Sequence, residues 1–176
     1  MQIKKETTGH EAFLKLSALC ARSEHCQHEM TEKMRQWGVS DEEQAQVMAR
    51  LVGERYVDDE RYARAFVRDK VKYNKWGRRK IEQALWMKRI DEHTARQVLS
   101  EVGDEEYADV LRPLLSQKRR SLKGLNDYEL RQRLVRFALQ RGFDMQVIRL
   151  CMEVGDVEDN GLDGMGDEEN NVHDDI

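Results

Sequence analysis

A chain of 176 residues, 39% hydrophobic and 36% charged, can bury a core, while a single proline and few alternating Val/Ile/Thr runs argue against a sheet. No apolar run approaches the roughly 18 residues that cross a bilayer, and no basic start leads into an apolar segment, so a cytoplasmic protein without a membrane partner is expected. The net charge of −4 conceals zoning, because residues 153–176 hold ten acids and no Lys or Arg and leave 30 basic against 24 acidic side chains elsewhere.

Two stretches carry the positive charge: residues 61–89 have eleven Lys/Arg against Asp69 and Glu82, and residues 112–141 have nine against Asp127 and Glu129. Residues 90–111 run the other way, with Arg96 alone against seven acids. Such zoning steers a polyanion or a charged protein surface. Cys20, Cys26 and Cys151 are an odd number with no export signal, which favours reduced thiols.

In chain order, residues 1–10 lack periodicity and are expected to be flexible. Phe13, Leu16, Leu19 and Cys20 predict a helix over 11–22. Ser23 offers a cap for a second helix with Met30, Met34 and Trp37 inward and Gly38 as its stop. The capping box Ser40–Glu43 opens a third, through about Arg55, with Ala45, Met48, Leu51 and Val52 inward. Asp58 or Asp59 caps a fourth, from about Asp59 to Tyr73, whose apolar stripe is Tyr62, Ala63, Phe66 and Tyr73. Arg61, Arg64, Arg68, Lys72 and Lys75 follow a second three-and-four spacing, which predicts a basic ridge opposite that stripe.

After a break at Trp76–Gly77, the spacing predicts a helix over 78–88 with Ile81, Ala84 and Leu85 inward. Asp91 caps the next, which buries Ala95, Val98, Leu99 and Val102 and ends at Gly103. Tyr107, Val110, Leu111 and Leu114 make a helix that Pro113 should bend. Asn126–Glu129 is capping-box-like and starts a helix with Leu130, Leu134, Phe137 and Ala138 inward. Asp144 caps a last one with Val147, Ile148, Cys151 and Met152. The acidic, glycine-containing end after Gly155 is expected to be disordered.

Apolar positions recur at steps of 51 and 53 residues: Met30, Ile81 and Leu134; Met34, Leu85 and Ala138; Val39, Ile90 and Phe143; Val47, Val98 and Cys151. This register predicts an all-α protein of three tandem three-helix repeats, 11–55, 56–103 and 104–154, between a flexible 1–10 and an acidic tail 155–176.

The central stretch, Tyr56-Val-Asp-Asp-Glu-Arg-Tyr-Ala63 followed by Phe66, a basic run, Gly77, Ile81 and Leu85, resembles the RecX family of bacterial recombinase modulators. The resemblance runs from about Ser17 to Met152 and implies an elongated, curved protein that binds the RecA filament and modulates, usually by inhibition, its extension, ATPase and strand exchange; a monomer is expected. Family members commonly carry Gly where this chain has Arg89, and the acidic tail lies outside the family's core.

Consecutive Asp58, Asp59 and Glu60 point in different directions on a helix start, so capping accounts for them better than catalysis. Cys20, His25, Cys26 and His28 match no usual zinc spacing. With no phosphate loop or nucleophile elbow, neither enzymatic activity nor a cofactor is expected. The candidate contacts are Arg61, Arg64, Arg68, Lys72, Lys75, Arg78, Arg79 and Lys80 as one surface, with Lys118, Arg119, Arg120 and Lys123 as a second. Single- or double-stranded DNA is a further candidate partner, and a stand-alone DNA-binding helical module is the alternative function. Trp76 is expected in the core, and Trp86 is open between core and partner contact.

Overall fold

The computed structural model describes residues 7–152, and among them are nine helices and no strand: α1 (Gly9–Cys20), α2 (Gln27–Gln36), α3 (Asp41–Gly53), α4 (Asp59–Lys72), α5 (Arg78–Met87), α6 (Glu92–Ser100), α7 (Asp104–Ser121), α8 (Asp127–Gln140) and α9 (Met145–Cys151). They form three successive three-helix units, and in each the first and third helices pack closely together. Residues 1–6 and 153–176 lie outside this description, and with them the acidic tail. Gly9 and His10, expected in a flexible terminus, belong to α1, which opens at a Thr8–Glu11 capping box.

Short polar side chains set the helix starts. Thr8, Ser40, Asp58, Asp91 and Asn126 each accept from the amide three residues on, at 2.9–3.3 Å, and so pair a donor that the helix leaves free. Ser23 does not cap α2. Its hydroxyl meets His25 at 3.0 Å, Cys26 stands at the N-cap, and the Gln27 amide donates instead to Asp59 at 2.8 Å. Both adjacent aspartates therefore cap, but on different helices.

The repeat register is written in the hydrogen bonds that end each unit's second helix. Val39, Ile90 and Phe143 donate to the carbonyls of Met34, Leu85 and Ala138, each at 3.1 Å, the six-to-one bond of a Schellman turn. The residue before each donor is left-handed: Gly38 at φ 73°, Arg89 at 55° and Gly142 at 87°. Met30, Ile81, Leu134 and their aligned partners are buried, except that Cys151 is half-buried.

Two apolar cores result. Unit one closes its own around Phe13, Leu16, Met30, Met34 and Leu51, whereas α4 through α9 share one that runs from Val67, Ile81 and Leu85 to Tyr107, Leu111, Leu134 and Phe143.

Several faces differ from expectation. On α4 the buried stripe is centred on Ala63 and Val67 and continues to Val71, while Tyr73 is 68% exposed. At about 100° per residue Tyr73 sits roughly 120° from Val67, off the stripe. On α3, Gln44, Val47 and Leu51 turn inward, with Gln44 donating to the Val39 carbonyl at 2.7 Å; Ala45 and Val52 are exposed and Met48 is half-buried. Gly103, expected to end α6, stands at the start of α7, which is one helix through the exposed Pro113.

An L-residue in the left-handed region costs roughly 1–2 kcal/mol, part of which glycine recovers despite its larger unfolded-state entropy. Replacing Arg89 by Gly is expected to raise stability by about 1 kcal/mol, whereas Gly142→Ala, at the equivalent turn, lowers it; urea unfolding of the two variants reads both signs.

Candidate partner-binding surface

The surface is built on the joint between units two and three, where α8 ends against the start of α5. The Gly77 and Arg79 amides donate to the carbonyls of Arg141 and Gly142 at 2.8 and 3.0 Å, so the negative end of one helix meets the positive end of the other. The approach is backbone on backbone. A Cβ on Gly77 would lie 2.2 Å from the Gly142 carbonyl carbon, and one on Gly142 would lie 2.5 Å from the Lys80 amide nitrogen.

Arg78, expected in the contact surface, instead locks this joint from inside. Its guanidinium donates to Asp104 at 2.9 Å, to Asp144 at 3.4 Å and to the Val102 carbonyl at 3.2 Å, and lies 5.1 Å from the centre of the Tyr107 ring. Burial opposes its charge, but the hydrogen bond to Asp104 and the nearby carboxylates raise its pKa. Arg79 pairs with the other oxygen of Asp144 at 2.9 Å. Asp144 stands at the N-cap of α9, but its carboxylate serves these arginines and caps nothing.

The α4 ridge divides in the same way. Arg61, Arg64, Arg68 and Lys72 lie about 60–140° from Val67, on the flank of the buried stripe rather than opposite it. Near the ends of that flank the arginines are taken up by neighbours. Arg61 pairs with Glu24 at 2.7 Å and reaches the Arg55 and Tyr56 carbonyls; Arg64 grips both oxygens of Glu101 and also Glu60. Arg68, Lys72 and Lys75 remain exposed and make no ion pair among the described residues.

What the joint brings together is different and includes Lys70 and Arg141, which the periodicity did not single out. Lys70 and Lys80 hold their ammonium groups 4.7 and 4.4 Å from the centre of the half-buried Trp76 ring. Across the joint, Lys118 and Arg141 do the same at Phe137, at 5.4 and 5.1 Å. Because Lys80 packs on Gly142, next to Arg141, the two cation–aromatic groups join into one band. Lys118 carries it into the end of α7, where Arg119, Arg120 and Lys123 are exposed without an acidic partner among the described residues. A cleft of about 280 Å³ lies beside it, lined by Arg119, Asp127, Leu130, Arg131, Leu134 and Met152. Trp86, 77% exposed on α5, stands apart from this band beside Ile90 and Ala95.

The joint between units one and two is polar. Glu29 accepts from His25, Tyr62 and Lys88 at 2.9, 3.2 and 3.0 Å, and Asp59 holds Gln27. Cys26 is buried there and burial pushes its thiol up to about 11, while His25 is engaged with Ser23 and Glu29; these are structural partners. Among the described residues no group of three His, Cys, Asp or Glu side chains is placed to hold a metal ion.

Sequence models described as RecX first, second and third three-helix domains match residues 12–51, 58–99 and 104–152. The chain belongs to the RecX family. Among its relatives are proteins named Regulatory protein RecX from Bacillus cytotoxicus (26% identical, covering 81% of this chain and 53% of the relative) and Neisseria meningitidis (29%, 77% and 84%). The chain thus spans about half the length of the Bacillus relative. The fold is similar to that of a crystal structure of RecX from Lactobacillus salivarius, at a TM-score of 0.76 and 16% identity over 81% of this chain and 93% of that one. A second RecX crystal structure gives 0.75 and 19% over 81% and 70%. In this RecX chain Arg89, before Ile90, adopts the left-handed turn that Gly38 and Gly142 adopt at the equivalent positions.

Removing Arg78 leaves Asp104 and Asp144 facing each other across a half-buried joint. Arg78→Met is expected to lower stability by about 2 kcal/mol, while Arg120→Met stays within about 0.5 kcal/mol, as chemical denaturation will show. Burial pushes the Glu29 carboxyl up, but the hydrogen bonds from His25, Lys88 and Tyr62 outweigh it and hold the pKa below the ordinary range. The stability this contributes is therefore present above the unfolded value of about 4.3 and is lost as pH falls through the lower folded value. Glu29→Gln is expected to flatten that acid limb of the urea midpoint against pH.

Proposed function

We propose that this chain binds the RecA nucleoprotein filament and restrains its extension, ATPase and strand exchange, with the band across the joint of units two and three as its contact surface. Family membership supplies the partner. The observation that carries the choice of surface is the continuous arrangement of Lys70, Lys80, Arg141 and Lys118 over Trp76 and Phe137, extended by Arg119, Arg120 and Lys123. A filament offers both phosphates and acidic protein surface, and exposed lysines and arginines engage either. Arg78 and Arg79 support this surface by holding together the two units that present it, Arg64 braces unit two internally, and Arg61 ties unit two to unit one.

A second reading, a stand-alone DNA-binding module, draws on the same band, since cations beside aromatic rings suit a polyanionic strand. The two separate by salt and by partner. A phosphate-dominated binder loses affinity for naked DNA steeply as salt rises, whereas a filament binder requires RecA.

Titrating the chain into RecA's DNA-dependent ATPase is expected to give inhibition below one chain per RecA. The triple variant Lys118→Glu, Arg120→Glu, Lys123→Glu is expected to lose at least tenfold in potency with its helical circular dichroism unchanged, a loss of about 1.4 kcal/mol in binding. Inhibition of equal strength by the variant would overturn the choice of surface.

A further inference from the structure

We propose that residues 153–176 act as an internal competitor for the basic band, occupying the cleft between α7 and α8 until an external polyanion or acidic protein surface displaces them. The proposal rests on reading that band as the binding surface and adds its regulation.

Three observations point to this occupant. The segment carries ten acids and no Lys or Arg, while Lys118, Arg119, Arg120 and Lys123 have no acidic partner among the described residues. The described chain also ends in the right place. Met152 itself lines the cleft, together with Arg119, Arg131, the apolar Leu130 and Leu134 and one acid, Asp127, which the two arginines offset. Leu130, Leu134 and Phe137 follow one face of α8, so the cleft continues directly into the Phe137 group with Lys118 and Arg141.

Reach and concentration agree with the placement. Twenty-four residues at up to about 3.3 Å each extend far beyond the roughly 27 Å of α7. A segment tethered at the edge of its own site is present at an effective concentration in the millimolar range, so individually weak carboxylate contacts compete with an untethered ligand. The competition is electrostatic and falls with salt, because exposed charges are screened within about 3 Å at 1 M.

The test uses the full chain without RecA or nucleic acid, and so stands apart from any failure of the filament reading. Glu158→Gln, Asp159→Asn, Asp163→Asn, Asp167→Asn, Glu168→Gln and Glu169→Gln are introduced together, which keeps the length and removes six charges. Amide nitrogen–proton spectra of native and substituted chains are compared at low salt and at about 1 M NaCl. Outside the substituted segment itself, the expected result at low salt is a set of shifts confined to 118–142 and Met152, the end of α7, the cleft and its rim, that vanishes at high salt. Coincident low-salt spectra for residues 7–152 would overturn the proposal, and so would shifts equally large at the exposed Arg35, Arg50 and Arg55 of unit one.

Discussion

Two glycines facing each other across the α5–α8 joint are the constraint on which the proposed surface depends. Gly77 and Gly142 let two backbones approach so closely that neither position has room for a methyl group. Only at that distance do the last carbonyls of α8 reach the first amides of α5 and satisfy both helix ends at once. The shared core of units two and three then follows, because Phe143, directly after Gly142, is delivered into the space beside Tyr107. The band is a by-product of the same contact, since two basic stretches separated in sequence by the acidic residues 90–111 meet where Lys80 abuts Gly142.

The basic residues divide by chemistry between holding the fold and facing outward. Arg61, Arg64 and Arg78 each bridge two or more acceptors, the task for which a planar fork of donors is suited. The lysines Lys72, Lys75 and Lys123 stay at the surface, and Lys70, Lys80 and Lys118 lay their heads over aromatic rings while their apolar stems cover core edges. The two joints also differ in kind. Units two and three are fused through a continuous apolar core, whereas unit one meets unit two through carboxylates, a histidine, a tyrosine and a lysine gathered around Glu29.

Periodicity made the fold legible because every unit repeats the same buried positions, and four aligned triplets suffice to set the register. Caps at Ser40, Asp91 and Asn126 were legible because they act within their own helix. What escaped was what acts between units: Asp59 serving α2, Asp144 serving α5, and Arg61 reaching Glu24, none of which leaves a trace in local spacing. The candidate surface was half legible for the same reason. Charge density marked two stretches that the fold brings to one joint, but a helical wheel centred on Tyr62 instead of Val67 put the ridge opposite the core and hid how much of it the fold consumes. Gly142 was the missed signal, since it occupies the same repeat position as Gly38, whose role as a helix stop was plain.

The capping of α2 by Asp59 has a consequence for the order in which the chain can mature. The donor at Gln27 waits for a carboxylate 32 residues further along, in the next unit. During synthesis at roughly 5–20 residues per second, the interval between Leu51, which nearly completes the apolar core of unit one, and Asp59 is about a second, and over it the helix end stays open. This hydrogen bond is made by its successor, so the capping of unit one is timed by the arrival of unit two.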